Sequence, residues 1–191
     1  MANIVDLLRA RKSTRVFEER SVAPELLRRL LVAAMAAPSA SNSQPWEFVV
    51  VTRDDLLERL RSALYFGRYN APAAIAVCAN LRIAHNSAAR HYWVQDCSAA
   101  TQNILIAAEG LGLGAVWIGV HPLPSVVTPV REILALPDTV TPLSLVYVGY
   151  RAVQQAPDDP DRRGRYDERR VYWEQYEPRK RRARKKNAKH A

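Results

Sequence analysis

Only two cysteines occur among the 191 residues, Cys78 and Cys97, and neither stands at a metal-ligand spacing. Both lie in apolar-rich stretches. Buried, reduced thiols are therefore expected, and nothing suggests the oxidising compartment that a disulfide would need. The short motifs of hydrolytic and metal chemistry are missing too. There is no GxSxG, no HExxH and no Cys/His cluster, and His85, His91, His121 and His190 stand apart. A lone histidine is an ordinary surface or core residue, so no metal site is expected. Long apolar runs are also lacking. Residues 30–37 fall far short of a bilayer span, and residues 1–10 show no basic start followed by an apolar stretch. A cytoplasmic protein without membrane association is the expectation. No internal repeat is present.

What is abundant is positive charge, +9 overall. Its location matters more than its size. Arg179, Lys180, Arg181, Arg182, Arg184, Lys185, Lys186 and Lys189 carry eight charges with no acid among them, which leaves the body with 20 basic and 19 acidic residues. A basic block of this kind reads as a disordered arm able to meet polyanions. It has no interleaved aromatics and the body is nearly neutral, so specific nucleic-acid binding is not expected. The sequence thus divides into a domain over residues 1–177 and a basic tail over 178–191.

The period of the apolar residues predicts helices at 3–10 (Asn3 as cap), from Pro24 to 37, at 54–64 and at 88–111. A further helix is expected to start at Pro129, capped by Thr128. Strands are predicted at 46–52 (WEFVVVT), 73–79, 115–120 and 143–150. This alternation suggests a sheet sandwiched between helices, α/β or α+β. A short amphipathic segment is expected at 167–176.

Three stretches carry chemistry. Arg11, Lys12, Ser13 and Arg15 place three cations and a hydroxyl within five residues, a donor set suited to phosphate oxygens or simply a solvated basic loop. The loop PSASNSQPW, from Pro38 to Trp46, is small and polar; Asn42 and Gln44 each donate and accept, which suits the imide edge of a planar heterocycle. The third stretch, GLGLGAVWIG, joins the long helix to an apolar strand. Its glycines lie between helix and strand, the reverse of the dinucleotide fingerprint, and a Rossmann reading is rejected.

In this order, together with DCSAATQN (Asp96 to Asn103) opening the long helix and RYDE at Arg165 to Glu168, these stretches resemble the nitroreductase family. The resemblance covers about residues 4–176. It implies an α+β fold, a three-layer α-β-α sandwich, forming a homodimer in which a C-terminal extension wraps the partner. It implies FMN in clefts at the dimer interface, with NADH or NADPH as electron donor and a small-molecule acceptor such as a nitroaromatic or a quinone.

By the same resemblance, Arg11 and Ser13 hold the FMN phosphate with a late arginine, for which Arg163 is chosen beside Arg162 and Arg165. Lys12 takes the place of a further basic residue, and Arg15 faces the flavin pyrimidine. Pro38, Ser39 and Ala40 come from the partner subunit and line the ring, with Asn42 nearby, and Gln44 is counted among the cofactor-binding residues. The backbone at Trp117, Ile118 and Gly119 lies against the ring, and Tyr65, Phe66 and Tyr69 are substrate-contacting candidates. The chemistry is the flavin's, so no catalytic side chain is assigned. Specialised branches of the same fold (a reductive dehalogenase, a flavin-destroying oxygenase or an oxidase) and polyanion binding by the tail remain as alternatives.

Overall fold

Asn3 starts the first helix as expected: its side chain accepts a hydrogen bond from the Val5 N–H at 3.0 Å. The computed structural model describes residues 3–152 and 166–176; Arg162, Arg163, Arg165 and the tail at 178–191 lie outside them. The elements of the first part are α1 (Ile4–Ala10), α2 (Pro24–Met35), β1 (Trp46–Val51), α3 (Asp54–Ala63), β2 (Ala73–Asn80), α4 (Ala89–Gly110), β3 (Gly114–Gly119), α5 (Pro124–Ile133) and β4 (Val140–Gly149).

The four strands form one sheet in the order β1-β2-β4-β3, antiparallel at every pairing. This settles the class as α+β. Alternate residues of β2 feed two cores. Ala73, Ile75, Val77 and Ala79 meet α2 and α4, with Leu27, Leu30, Ala100 and Ile104. Ala74, Ala76 and Cys78 meet α3 and α5, with Leu57, Leu60, Val126 and Val130. Helices therefore cover both faces. Each fully buried leucine contributes about 1.5–3 kcal/mol, far more than helix propensity supplies over such short segments.

Two expectations fail at prolines. α5 begins at Pro124 rather than at Pro129, with Leu123 and not Thr128 as its cap, so Pro129 sits inside the helix. Starting early puts Val126 on the core face one turn before Val130, and that burial outweighs the lost N–H of Pro129. β4 begins at Val140 and contains Pro142, because the pairing with β2 shifts register between Val77 and Cys78, a bulge where a missing N–H is tolerated.

α1 differs from the other helices in having no buried residue: Ile4, Val5 and Leu8 are exposed, as are Val32 and Met35 of α2. Among the described residues no helix is long and apolar enough to cross a membrane. The segment 166–176 belongs to a separate unit of the chain. It holds one 3-10 turn, Glu168–Arg170, and it exposes Tyr166, Trp173 and Tyr176.

Candidate functional site

The basic loop is held as an extended ribbon against the sheet. Ser13 bridges Ala115 in parallel, and the Thr14 N–H donates to the Ala115 carbonyl at 3.0 Å. Further along, Phe17 bridges Arg151 and the Glu18 N–H donates to the Tyr150 carbonyl. Thr14 and Phe17 are buried and act as pegs, whereas Arg11, Lys12 and Ser13 are half-buried and Arg15 is exposed.

Two side chains outside the loop fix it. Asn70 imitates a strand partner: its Nδ2 donates to the Phe17 carbonyl at 2.8 Å and its Oδ1 accepts the Phe17 N–H at 3.0 Å. The Arg151 guanidinium donates through Nε to Thr14 Oγ1 at 3.2 Å, to the Leu113 carbonyl at 3.2 Å and to both oxygens of Glu109. Position 114 must be glycine because a Cβ there would stand 2.8 Å from Arg151 Cγ and closer still to Thr14. Sequence reasoning found neither Asn70 nor Arg151; each looks like an ordinary polar residue flanking a strand.

The Ala115 carbonyl faces the loop and the Val120 N–H bonds the Leu143 carbonyl of the sheet. Strand alternation therefore turns the Trp117 and Gly119 amides away from β4, toward the open edge of β3. Among the described residues no hydrogen bond outside the ladder uses either amide. A Cβ on Gly119 would meet nothing within 4 Å, so a flat ligand has room to approach the backbone there.

The segment after α3 folds over the same edge. Gly67 adopts φ +80° with its Cα against the Ile118 side chain, where any Cβ would collide. Phe66 and Tyr65, which precede Gly67, are 86% and 64% exposed, and Trp117 and Ile118 are half-buried. The Tyr69 ring is instead engaged with the core, edge-on to Tyr147 at 6.5 Å. Burial pushes the Tyr147 phenol up to about 12, and the Cys78 and Cys97 thiols likewise, so all three stay protonated at neutral pH.

The small-residue loop lies elsewhere. It precedes β1, whose first residue Trp46 opposes Ala79. Ala40–Asn42 form a 3-10 turn, and Ser41, Asn42 and Gln44 take φ values of 50°, 55° and 47°, a left-handed backbone unusual in non-glycine residues. Gln44 Nε2 donates to Asn42 Oδ1 at 2.8 Å, so these two amides pair with each other. Asp96, which the sequence suggested near the start of the long helix, lies at the eighth position of α4 and reaches this loop. β1 and β3 are opposite edges of the sheet, three inter-strand spacings apart, or roughly 14 Å. One chain thus gathers residues 11–15, 117–119 and 65–66 along one edge and carries residues 38–44 on the other. Arg163 lies outside the described residues.

A cleft of about 740 Å³ opens between residues 18–21, α3 and residues 68–72. Glu18, Glu19, Asp54 and Glu58 line it together with Arg20, Arg61 and Arg68, and it does not include the β3 edge. The donor chemistry, rather than the size of a concavity, marks the site.

The model of the Nitroreductase family matches residues 8–65 and 64–150. A relative from Archaeoglobus fulgidus, named for NADH dehydrogenase and NAD(P)H nitroreductase, is 42% identical over 152 residues, 78% of this chain and 86% of its own length. A crystal structure from Parabacteroides distasonis, named in the same terms, has a TM-score of 0.81 at 34% identity, covering 92% of this chain and all of that one. A nitroreductase from Desulfovibrio desulfuricans, solved in complex with FMN, has a TM-score of 0.72 at 25% identity, covering 93% and 99%. With a family model spanning most of its length and a relative this similar, the chain belongs to the nitroreductase family.

Proposed function

We propose that the protein is an FMN-dependent oxidoreductase that takes hydride from NADH or NADPH and passes two electrons to a small electrophilic acceptor, a nitroaromatic or a quinone. The observation that carries this reading is the β3 edge, where outward amides at Trp117 and Gly119 continue from the cationic ribbon at Arg11, Lys12 and Ser13. The residues present fit the cofactor. Guanidinium, ammonium and hydroxyl donors match a phosphate, and an open glycine-bearing edge matches a flat ring. FMN, when bound, supplies the two-electron chemistry between nicotinamide and acceptor.

The chain's own residues have defined tasks in this reading. Arg11 and Ser13 hold the phosphate, and Arg15 stands beside the pyrimidine. The Trp117 and Gly119 amides hold the ring in register. Tyr65 and Phe66 cover its open face and exclude water from it. Residues 38–44 serve the site of a second copy, because in their own chain they are a sheet's width from the β3 edge. The exposed apolar residues of α1 and α2, with Trp173 and Tyr176 of the later segment, supply surface for that second copy to cover. The extension would then wrap the partner, and the boundary at residue 177 would separate it from the tail.

Since one face of one ring serves donor and acceptor in turn, double-reciprocal plots of initial rate against both substrates should give parallel lines. Intersecting lines would require a ternary complex and overturn the shared-pocket reading.

A further inference from the structure

We propose that Asp96 is a positioning residue whose carboxylate holds the 38–44 loop in the shape that the partner subunit's FMN meets. The proposal rests on the split-site reading above. Asp96 is only 4% exposed, in the middle of the longest helix, on the face that otherwise carries Cys97, Ala100, Ile104 and Ala108. A carboxylate there is expensive to bury unless its oxygens are satisfied. Both are, and both by the loop: Oδ1 accepts the Ala40 N–H at 2.9 Å, and Oδ2 accepts the Ser43 hydroxyl at 3.0 Å. No ion pair of Asp96 occurs among the described residues.

The loop needs such a clamp because its backbone is costly. Left-handed φ values at Ser41, Asn42 and Gln44 disfavour this conformation, and such residues persist only where their surroundings over-determine them. The remaining contacts are consistent with that. The Asn86 side chain donates to the Ser41 carbonyl at 2.8 Å, the His85 N–H donates to the Ser43 carbonyl at 2.8 Å, and Ser39 Oγ accepts the Gln44 N–H at 3.1 Å. Among the described residues Asp96 reaches both ends of the 3-10 turn, while Pro38 and Asn42 stay exposed and Ser39 and Ala40 half-buried on the loop. A bond to a charged partner that keeps a binding loop in its competent state changes the apparent affinity by the fraction of that state.

Three measurements test the proposal together. In the FMN-free protein, Asp96→Ala should raise amide exchange at Ala40 while leaving β2 and β4 protected. FMN affinity, read by flavin fluorescence quenching, should fall about 10- to 100-fold for Asp96→Ala. Asp96→Asn, which keeps one acceptor and can donate to the Ser43 hydroxyl, should recover most of that affinity. A purified mixed dimer of one Arg11→Ala chain and one Asp96→Ala chain should then hold FMN with wild-type affinity in about half its sites, because both lesions fall on one site and spare the other. Half-site recovery supports action across the interface. A mixed dimer whose two sites are both impaired places Asp96 in its own chain's site and overturns the proposal, as does unchanged affinity in Asp96→Ala. A wild-type protein that binds no FMN would refute the functional reading itself, a different result from either.

Discussion

Arg151→Met should cost about 3 kcal/mol of folding stability, the lower end of the range for removing one partner of a buried pair, since the Arg151 side chain is 27% exposed. The loss has three parts. The Glu109 carboxylate, 12% exposed, is left unpaired in a mostly apolar setting; the Leu113 carbonyl loses a donor; and Thr14 loses the bond that pegs the basic ribbon. For a chain of this size that corresponds to a melting point lower by roughly 10 °C. FMN retention should fall as well, although Arg151 is not assigned to the cofactor, because the ribbon that carries Arg11 and Ser13 hangs on Thr14. Arg151→Met combined with Glu109→Leu should recover a large share of the stability by removing the orphaned charge. Denaturant titration of the two variants checks this. A single-variant loss under about 0.5 kcal/mol, the level of a surface change, would show that the network contributes little.

The second large effect separates two cations four residues apart in the ribbon. Arg11 is assigned to the phosphate, remote from the ring, and Arg15 to the pyrimidine edge. Removing a charged hydrogen bond costs about 1.5–3 kcal/mol. Arg11→Ala should therefore weaken FMN affinity about 10- to 100-fold and leave the midpoint potential of the reconstituted protein unchanged. Arg15→Ala should do the reverse. A cation beside the ring favours its reduced, more negative state, and about 1.4 kcal/mol equals roughly 30 mV for a two-electron couple, so the potential should fall by some tens of millivolts. Reductive titration of both variants in excess FMN decides it. A potential shifted in Arg11→Ala and unchanged in Arg15→Ala would exchange the two roles.

These effects hinge on contacts the sequence shows unevenly. Asn3, Pro24 and the glycines after α4 mark helix ends through local chemistry, and β2 is read from seven consecutive small or branched apolar residues. Such signals act over a few residues and survive without tertiary information. The start of α5 was not legible, because Pro124 and Pro129 both suit a first turn and only the packing of Val126 against the sheet chooses between them. Likewise the strand predicted from residue 143 begins at Val140, because a bulge with β2 accommodates Pro142. The basic ribbon and the small-residue loop were visible as compositions. Their supports, Asn70, Arg151 and Asp96, lie 53, 137 and 56 residues from the groups they hold, and no local pattern announces such pairs. Nor does composition reveal that the two loops stand on opposite edges of the sheet, which is a consequence of strand order alone.

That separation makes the shared site measurable in the oligomeric state. If residues 38–44 complete a site on another copy, the purified protein should travel as a dimer that carries one FMN per chain. Light scattering on a size-exclusion column, with flavin absorbance recorded on the same peak, reads mass and stoichiometry at once. The peak should have twice the 21.5 kDa chain mass and yellow colour in proportion to protein. A stable monomer holding a full complement of FMN would contradict it.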